Sequence, residues 1–235
     1  MTKAIQRIAA LASGGGSNVQ AIVDHLQRLG ARRSGDVVLV VSDRKDSLAL
    51  SRARDRGIAA LHVPRGEGTA VDALLREHAI DVVVLAGYLR LVPESVTRRY
   101  RGRILNVHPS LLPAFGGHGM YGIRVHQAAI AAGVRVSGVT VHFVDEEYDH
   151  GPIAAQWPVP VLADDAAEQL AARVLRVEHL LYPRVVDAVC SGGMRLDHDD
   201  RVHGTFDALE PSSAFTLLPR EDSSLAFEME SALWA

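Results

Sequence analysis

A single cysteine, Cys190, stands among 235 residues, so no internal disulfide can form and the chain fits a reducing compartment. No segment approaches the roughly 18–20 consecutive apolar residues of a membrane span. The first eight residues carry no long apolar run followed by a small-residue cleavage site. A cytoplasmic protein with no membrane partner is expected. Positive charge is not in excess either. The formal net charge is −3, which points away from nucleic acid and anionic surfaces. The eleven histidines include no pair at the helical HExxH spacing, and one cysteine supports no structural zinc site. No metal is expected. Neither an internal repeat nor a linker-like stretch breaks the chain. At 48% hydrophobic and 23% charged, the composition is that of a soluble globular protein with a substantial core.

From residue 8 the pattern alternates between short apolar runs and amphipathic stretches. Strands are expected at 8–12, 36–41, 58–63, 82–86 and 103–107, and helices at 19–29, 47–56, 71–78 and 94–100. This rhythm implies right-handed crossovers and an α/β, doubly wound, mostly parallel sheet. In such sheets ligands sit outside the carboxyl ends of the strands. The glycines after the first strand, Ser42-Asp43, Gly87-Tyr-Leu-Arg90 and His108 should therefore share one edge. The stretch 114–122 carries four glycines and reads as a mobile lid. A helix at 125–132 precedes an alternating strand at 136–146, with Val139, Val141 and Phe143 on one face and Thr140, His142 and Val144 on the other. Pro158 and Pro160 make 153–161 an edge or antiparallel strand. Asp164 or Asp165 should cap a long helix reaching about residue 182, kinked or restarted by Pro183. Residues 194–235 read as an irregular tail without a core role.

Three motifs carry chemistry. Ile104-Leu-Asn-Val-His-Pro-Ser-Leu-Leu-Pro113 is a strand running into a turn. Asn106 and His108 lie two apart and so leave one face of the strand. An amide donor beside an imidazole suits a carbonyl oxygen that becomes negative during reaction; a capped strand end with a satisfied histidine is the alternative. Ser13, Gly14, Gly15, Gly16, Ser17 and Asn18 follow a strand and open a helix, where free N–H groups and the positive helix end favour an anion. Gly14 and Gly16 match two glycines of the dinucleotide fingerprint, but Val19 takes the third place. No Lys-Ser/Thr pair makes a Walker loop. A monophosphate fits better than a dinucleotide, with a merely tight turn as the alternative. Asp149 lies in a turn before Gly151-Pro152. It either bonds nearby backbone or orients His108 and favours its charged form.

Together these motifs resemble the phosphoribosylglycinamide formyltransferase family. The matching pieces are Ser13 to Asn18, Val82-Val-Val-Leu-Ala-Gly-Tyr-Leu-Arg90, Asn106-Val-His-Pro-Ser-Leu-Leu-Pro113, Val141-His-Phe-Val-Asp145 with Asp149-His-Gly-Pro152, and Glu178-His179 before Tyr182-Pro183. The resemblance implies a Rossmann-like formyltransferase domain over 1–193, with 194–235 as the tail. It implies formyl transfer from 10-formyltetrahydrofolate to the amine of 5-phosphoribosylglycinamide in purine biosynthesis. Asn106, His108 and Asp149 fall on the catalytic trio. Ser13, Gly14, Gly15, Gly16, Ser17, Asn18 and Glu178 fall on the nucleotide site. Tyr88, Leu89, Arg90, Leu91, Val92, Asn106 and Val144 fall on the folate pocket. The chain departs from relatives at Gly15, where some carry Asn, and at His118, where a Lys is expected. Arg65 is the nearest counterpart of an arginine that reaches the folate in some members. The partners implied are small-molecule substrates, and a homodimer stays open. Two rivals remain. A formyltetrahydrofolate deformylase would call for a further domain before the glycines. A nucleotide-binding module without chemistry would need no Asn-His-Asp trio.

Overall fold

The computed structural model describes residues 4–204, 229 and 231–233. Seven strands form one sheet: β1 (Gln6–Leu11), β2 (Gly35–Ser42), β3 (Ala59–His62), β4 (Val82–Leu85), β5 (Ile104–His108), β6 (Val136–Phe143) and β7 (Ile153–Pro160). Their order is β3-β2-β1-β4-β5-β6-β7. The first five run parallel, and β6 and β7 turn antiparallel, with β7 at the edge. The expected doubly wound sheet and late edge strand are both present. The strand order reverses between β1 and β4, which opens a crevice at their carboxyl ends.

Among the described residues, the helices α1 (Ser17–Leu29), α2 (Leu48–Asp55), α3 (Gly68–Glu77), α4 (Glu94–Arg99), α5 (Ile123–Ala131) and α6 (Ala167–Ser191) cover the sheet. Alternate residues of each central strand enter opposite cores. Ile8 and Ala10 pack with residues of α1 and α6, while Ala9 and Leu11 pack with residues of α3 and α4. Burial on both faces is why these strands read as continuous apolar runs rather than alternating ones.

Several boundaries differ from the sequence reading. β1 starts at Gln6, α3 starts at Gly68, and β6 stops at Phe143 instead of continuing to 146. α6 does not end near residue 182; it runs through Pro183 to Ser191. The missing proline N–H costs about 3 kcal/mol in an isolated helix. The buried stripe of Val177, Leu181, Val185 and Val186 continues across it and holds the second half in place. Its N-cap is Ala166, not an aspartate. Asp165 is occupied instead by a two-pronged ion pair with Arg173, at 2.7 and 2.8 Å.

The tail reading is corrected where the structure describes it. β8 (Met194–Leu196) and β9 (Val202–Gly204) form a hairpin. Met194, Met229 and Leu233 are buried against the core beside α6. Three isolated apolar anchors in a polar stretch produce no periodicity to read. The rest of that stretch, 205–228, 230 and 234–235, lies outside the described residues. No helix among the described residues is long and apolar enough to cross a membrane.

Candidate active site

The end of β5 sets the centre of the site. Asn106 and His108 leave the same face, opposite His142 and Thr140 of β6. Asp149 arrives from the β6–β7 connection at φ 54, a left-handed conformation that aspartate tolerates better than most residues. Its carboxylate joins both β5 side chains. Oδ2 lies 3.4 Å from His108 Nδ1, and Oδ1 accepts from Asn106 Nδ2 at 3.3 Å. Oδ2 also accepts the Gly117 backbone N–H at 2.9 Å. On the other side of the ring, His108 Nε2 donates to the Phe115 carbonyl at 2.9 Å. Both ring nitrogens of His108 thus face acceptors, which favours the doubly protonated ring. Burial acts the opposite way and wins, so the His108 pKa falls below its ordinary value despite Asp149 and the Phe115 carbonyl. Asp149 is also penalised by burial. Its attractions to His142, His108 and the Gly117 amide outweigh that and hold it below the ordinary carboxylate range, so it stays ionised.

These groups form the floor of a cleft of about 320 Å³. Tyr88, Leu89, Arg90, Leu91 and Val92 supply one wall and Val144 another, so every residue the resemblance placed in a folate pocket lines this cleft. The 114–122 stretch contributes Gly117, His118 and Met120, and His118 packs edge-on against the Tyr148 ring at 5.5 Å between centroids. Arg65 does not line the cleft. It lies exposed, 3.8 Å from Asp43.

The glycine loop lies next door. Gly16 sits at the N-cap of α1 with φ 72, and a Cβ there would come within 2.7 Å of Ala49 Cα. Gly14 and Gly15 have open space where a Cβ would point. The loop is wedged between two neighbours. Ser47 Oγ donates to the Gly14 carbonyl at 2.8 Å, and Ser13 Oγ accepts the Leu89 N–H at 3.1 Å. The first-turn amides of α1 have no intrahelical acceptors. No acidic residue sits in that turn, so its positive end is open to an anion. Asn18 Nδ2 donates to the buried Glu178 Oε2 at 2.6 Å, tying α6 to this helix end. Burial pushes the Glu178 carboxyl up to about 7, with the Asn18 hydrogen bond pulling it down. The loop and Glu178 do not line the cleft; the Ser13–Leu89 hydrogen bond joins the two.

The family model described as formyl transferase matches residues 6–186. The chain is 45% identical over 202 residues to the chloroplastic phosphoribosylglycinamide formyltransferase of Arabidopsis thaliana, covering 83% of this chain and 68% of that one. The chain belongs to the phosphoribosylglycinamide formyltransferase family. The Vigna unguiculata enzyme of the same name is 47% identical over 193 residues, covering 79% of this chain and 61% of the relative. The phosphoribosylglycinamide formyltransferase structure from Anaplasma phagocytophilum superposes with a TM-score of 0.78 at 35% identity, over 87% of this chain and 96% of that one.

For this formyltransferase, sequence reading missed His142. Its Nε2 lies 3.0 Å from Asn106 Nδ2, while Nδ1 donates to the Phe143 carbonyl at 2.8 Å. Nε2 also lies 3.7 Å from Asp149 Oδ1, so the ring is one of the groups that keep that carboxylate ionised. The strand alternation put His142 on the correct face, but only the β5–β6 pairing shows that it meets Asn106. The ion pair between Arg90 and the buried Asp43, at 3.2 Å, was likewise invisible beyond the shared sheet edge. Among the described residues, no group of three His, Cys, Asp or Glu is placed to hold a metal ion.

His126, on α5, is buried near His108 with its Nδ1 unpartnered. Burial, aided by the His108 charge, lowers its pKa to about 4. Its folded value is below its unfolded one, so the unfolded chain binds the proton first as pH falls. His126 therefore contributes full stability above about pH 6.5 and loses it on acidification toward pH 4. A His126→Leu variant should show a shallower loss over that window, by on the order of 2–3 kcal/mol, in urea titrations run across pH.

Proposed function

We propose that the protein transfers the formyl group of 10-formyltetrahydrofolate to the amine of 5-phosphoribosylglycinamide, as in de novo purine biosynthesis. The observation that carries this reading is the convergence of Asn106, His108 and Asp149 on the floor of one cleft, beside an open helix N-terminus. The cleft wall of Tyr88, Leu89, Arg90, Leu91, Val92 and Val144 would hold the folate. The amides of the loop from Gly14 to Asn18 would hold the nucleotide phosphate, with Glu178 a further contact to the same substrate. The nucleotide amine then attacks the formyl carbon. Asn106 donates to the oxyanion of the tetrahedral intermediate, and the negative charge developing there offsets the burial penalty, so that His108 is protonated as the oxyanion forms. Asp149 holds His108 and, through the solvent in the cleft, moves the amine proton to N10 as the carbon–N10 bond breaks. Formylated nucleotide and tetrahydrofolate leave.

Mixing the protein with both substrates and following release of deformylated folate tests the proposal. Turnover only when the nucleotide is present is expected; turnover without it would make the protein a deformylase.

Closure over the cleft gives a second check. The 114–122 stretch touches the floor through Gly117 and packs on Tyr148 through His118. Its amides should gain hydrogen-exchange protection when 5-phosphoribosylglycinamide is added. Unchanged protection would remove the lid idea.

A further inference from the structure

A row of side chains crosses the last three strands of the sheet. His108 of β5 pairs with Thr140 of β6, and Thr140 pairs with Gln156 of β7. Directly opposed residues of antiparallel strands share a face. Thr140 is fully buried. Its hydroxyl donates to the Ser110 carbonyl at 2.6 Å and accepts from Leu112 N at 3.0 Å and Gln156 Nε2 at 3.0 Å. One proton and two lone pairs are all a hydroxyl has, and each is engaged. The second Gln156 amide proton goes to the Leu112 carbonyl at 2.9 Å. Ser110 Oγ donates to the Ala114 carbonyl at 2.6 Å. The turn after His108 is thus held at Ser110, Leu112 and Ala114. The next residue, Phe115, offers the carbonyl that receives His108 Nε2, and it does so at φ 55, a conformation a phenylalanine does not adopt unaided.

We infer that Gln156 is a positioning residue for formyl transfer, resting on the function proposed above. Half-buried on the edge strand, it does not line the cleft. Through Leu112 and Thr140 it fixes the turn, the turn fixes the Phe115 carbonyl, and that carbonyl fixes the ring of His108. Only a side chain with two N–H donors at this length satisfies both acceptors.

Gln156→Met keeps the length and removes both donors; Gln156→Glu keeps the shape and, ionised, also donates nothing. In either folded variant kcat should fall roughly tenfold to 10²-fold, the cost of a small misplacement of a reacting group, with KM for both substrates within about twofold. The His108 pKa, followed by NMR without substrate, should move further down as the carbonyl contact loosens. Thr140→Ser, which retains the hydroxyl, should stay near full activity, whereas Thr140→Val should lose it. The Gln156→Met, Thr140→Val double variant should be no worse than Thr140→Val alone, because both act along one path. Lower thermal stability with full kcat and an unmoved His108 would overturn the inference. So would a raised KM at constant kcat. The NMR readout needs no turnover. A moved His108 in a protein that transfers no formyl group would support the positioning role and defeat the proposed reaction.

Discussion

Asp149→Asn should lower kcat by roughly 10²-fold or more, the scale of losing a positioned acid–base function. The carboxylate touches both His108 and Asn106. Asparagine keeps its shape and tolerates φ 54, so the turn should survive. One oxygen still accepts the Gly117 amide. The amide nitrogen replacing the other then meets Asn106 Nδ2, donor against donor, so a loss of about 1 kcal/mol in stability is expected. The catalytic loss should be in kcat rather than KM, since the charge matters most once the oxyanion has formed. Removing the negative neighbour should also lower the His108 pKa further in an NMR titration. A folded variant with nearly full kcat and an unmoved His108 would take Asp149 out of the mechanism.

Gly16→Val should weaken binding of 5-phosphoribosylglycinamide on the order of 10²-fold, about 2–3 kcal/mol of charge-assisted backbone hydrogen bonds, while folate binding changes far less. Two causes add. At φ 72 a valine is strained, and its Cβ would meet Ala49 Cα at 2.7 Å, so the loop and α2 must separate. Some stability is lost as well, which by itself would blur the reading. Gly15→Ala resolves this, because a Cβ there meets nothing in the protein. It should keep the melting temperature and still reduce nucleotide affinity. Separate titrations of each ligand decide the matter, and equal losses for both ligands would make the loop merely structural.

Much of this architecture was legible because its signals are local. Val82 to Leu85 is a run that only a strand buried on both faces requires. Ser13 to Asn18 announces a strand-to-helix turn by composition alone. The spacing of Asn106 and His108 gave their shared face. What stayed hidden depends on pairing between distant segments. His142 meets Asn106 only because β6 lies antiparallel to β5. Glu178 reaches Asn18 across 160 positions of sequence. Pro183 misled because a proline argues locally against a helix, whereas a buried stripe on both sides argues for one. The hairpin after α6 and the anchors Met229 and Leu233 were missed for want of any period.

Asp149 and Phe115 have a consequence for laboratory evolution. Both are non-glycine residues held at positive φ, at 54° and 55°. Each such residue carries a conformational penalty of roughly 1–2 kcal/mol that glycine would escape. One supplies the carboxylate beside His108 and the other the carbonyl on its far side. Glycine at position 149 would relax the backbone but leave the Gly117 and Asn106 N–H groups without their acceptor, so the strain is offset by the contacts it makes possible. Selections for robustness on this scaffold therefore need an activity filter, because relaxing either position would also move a group that holds His108.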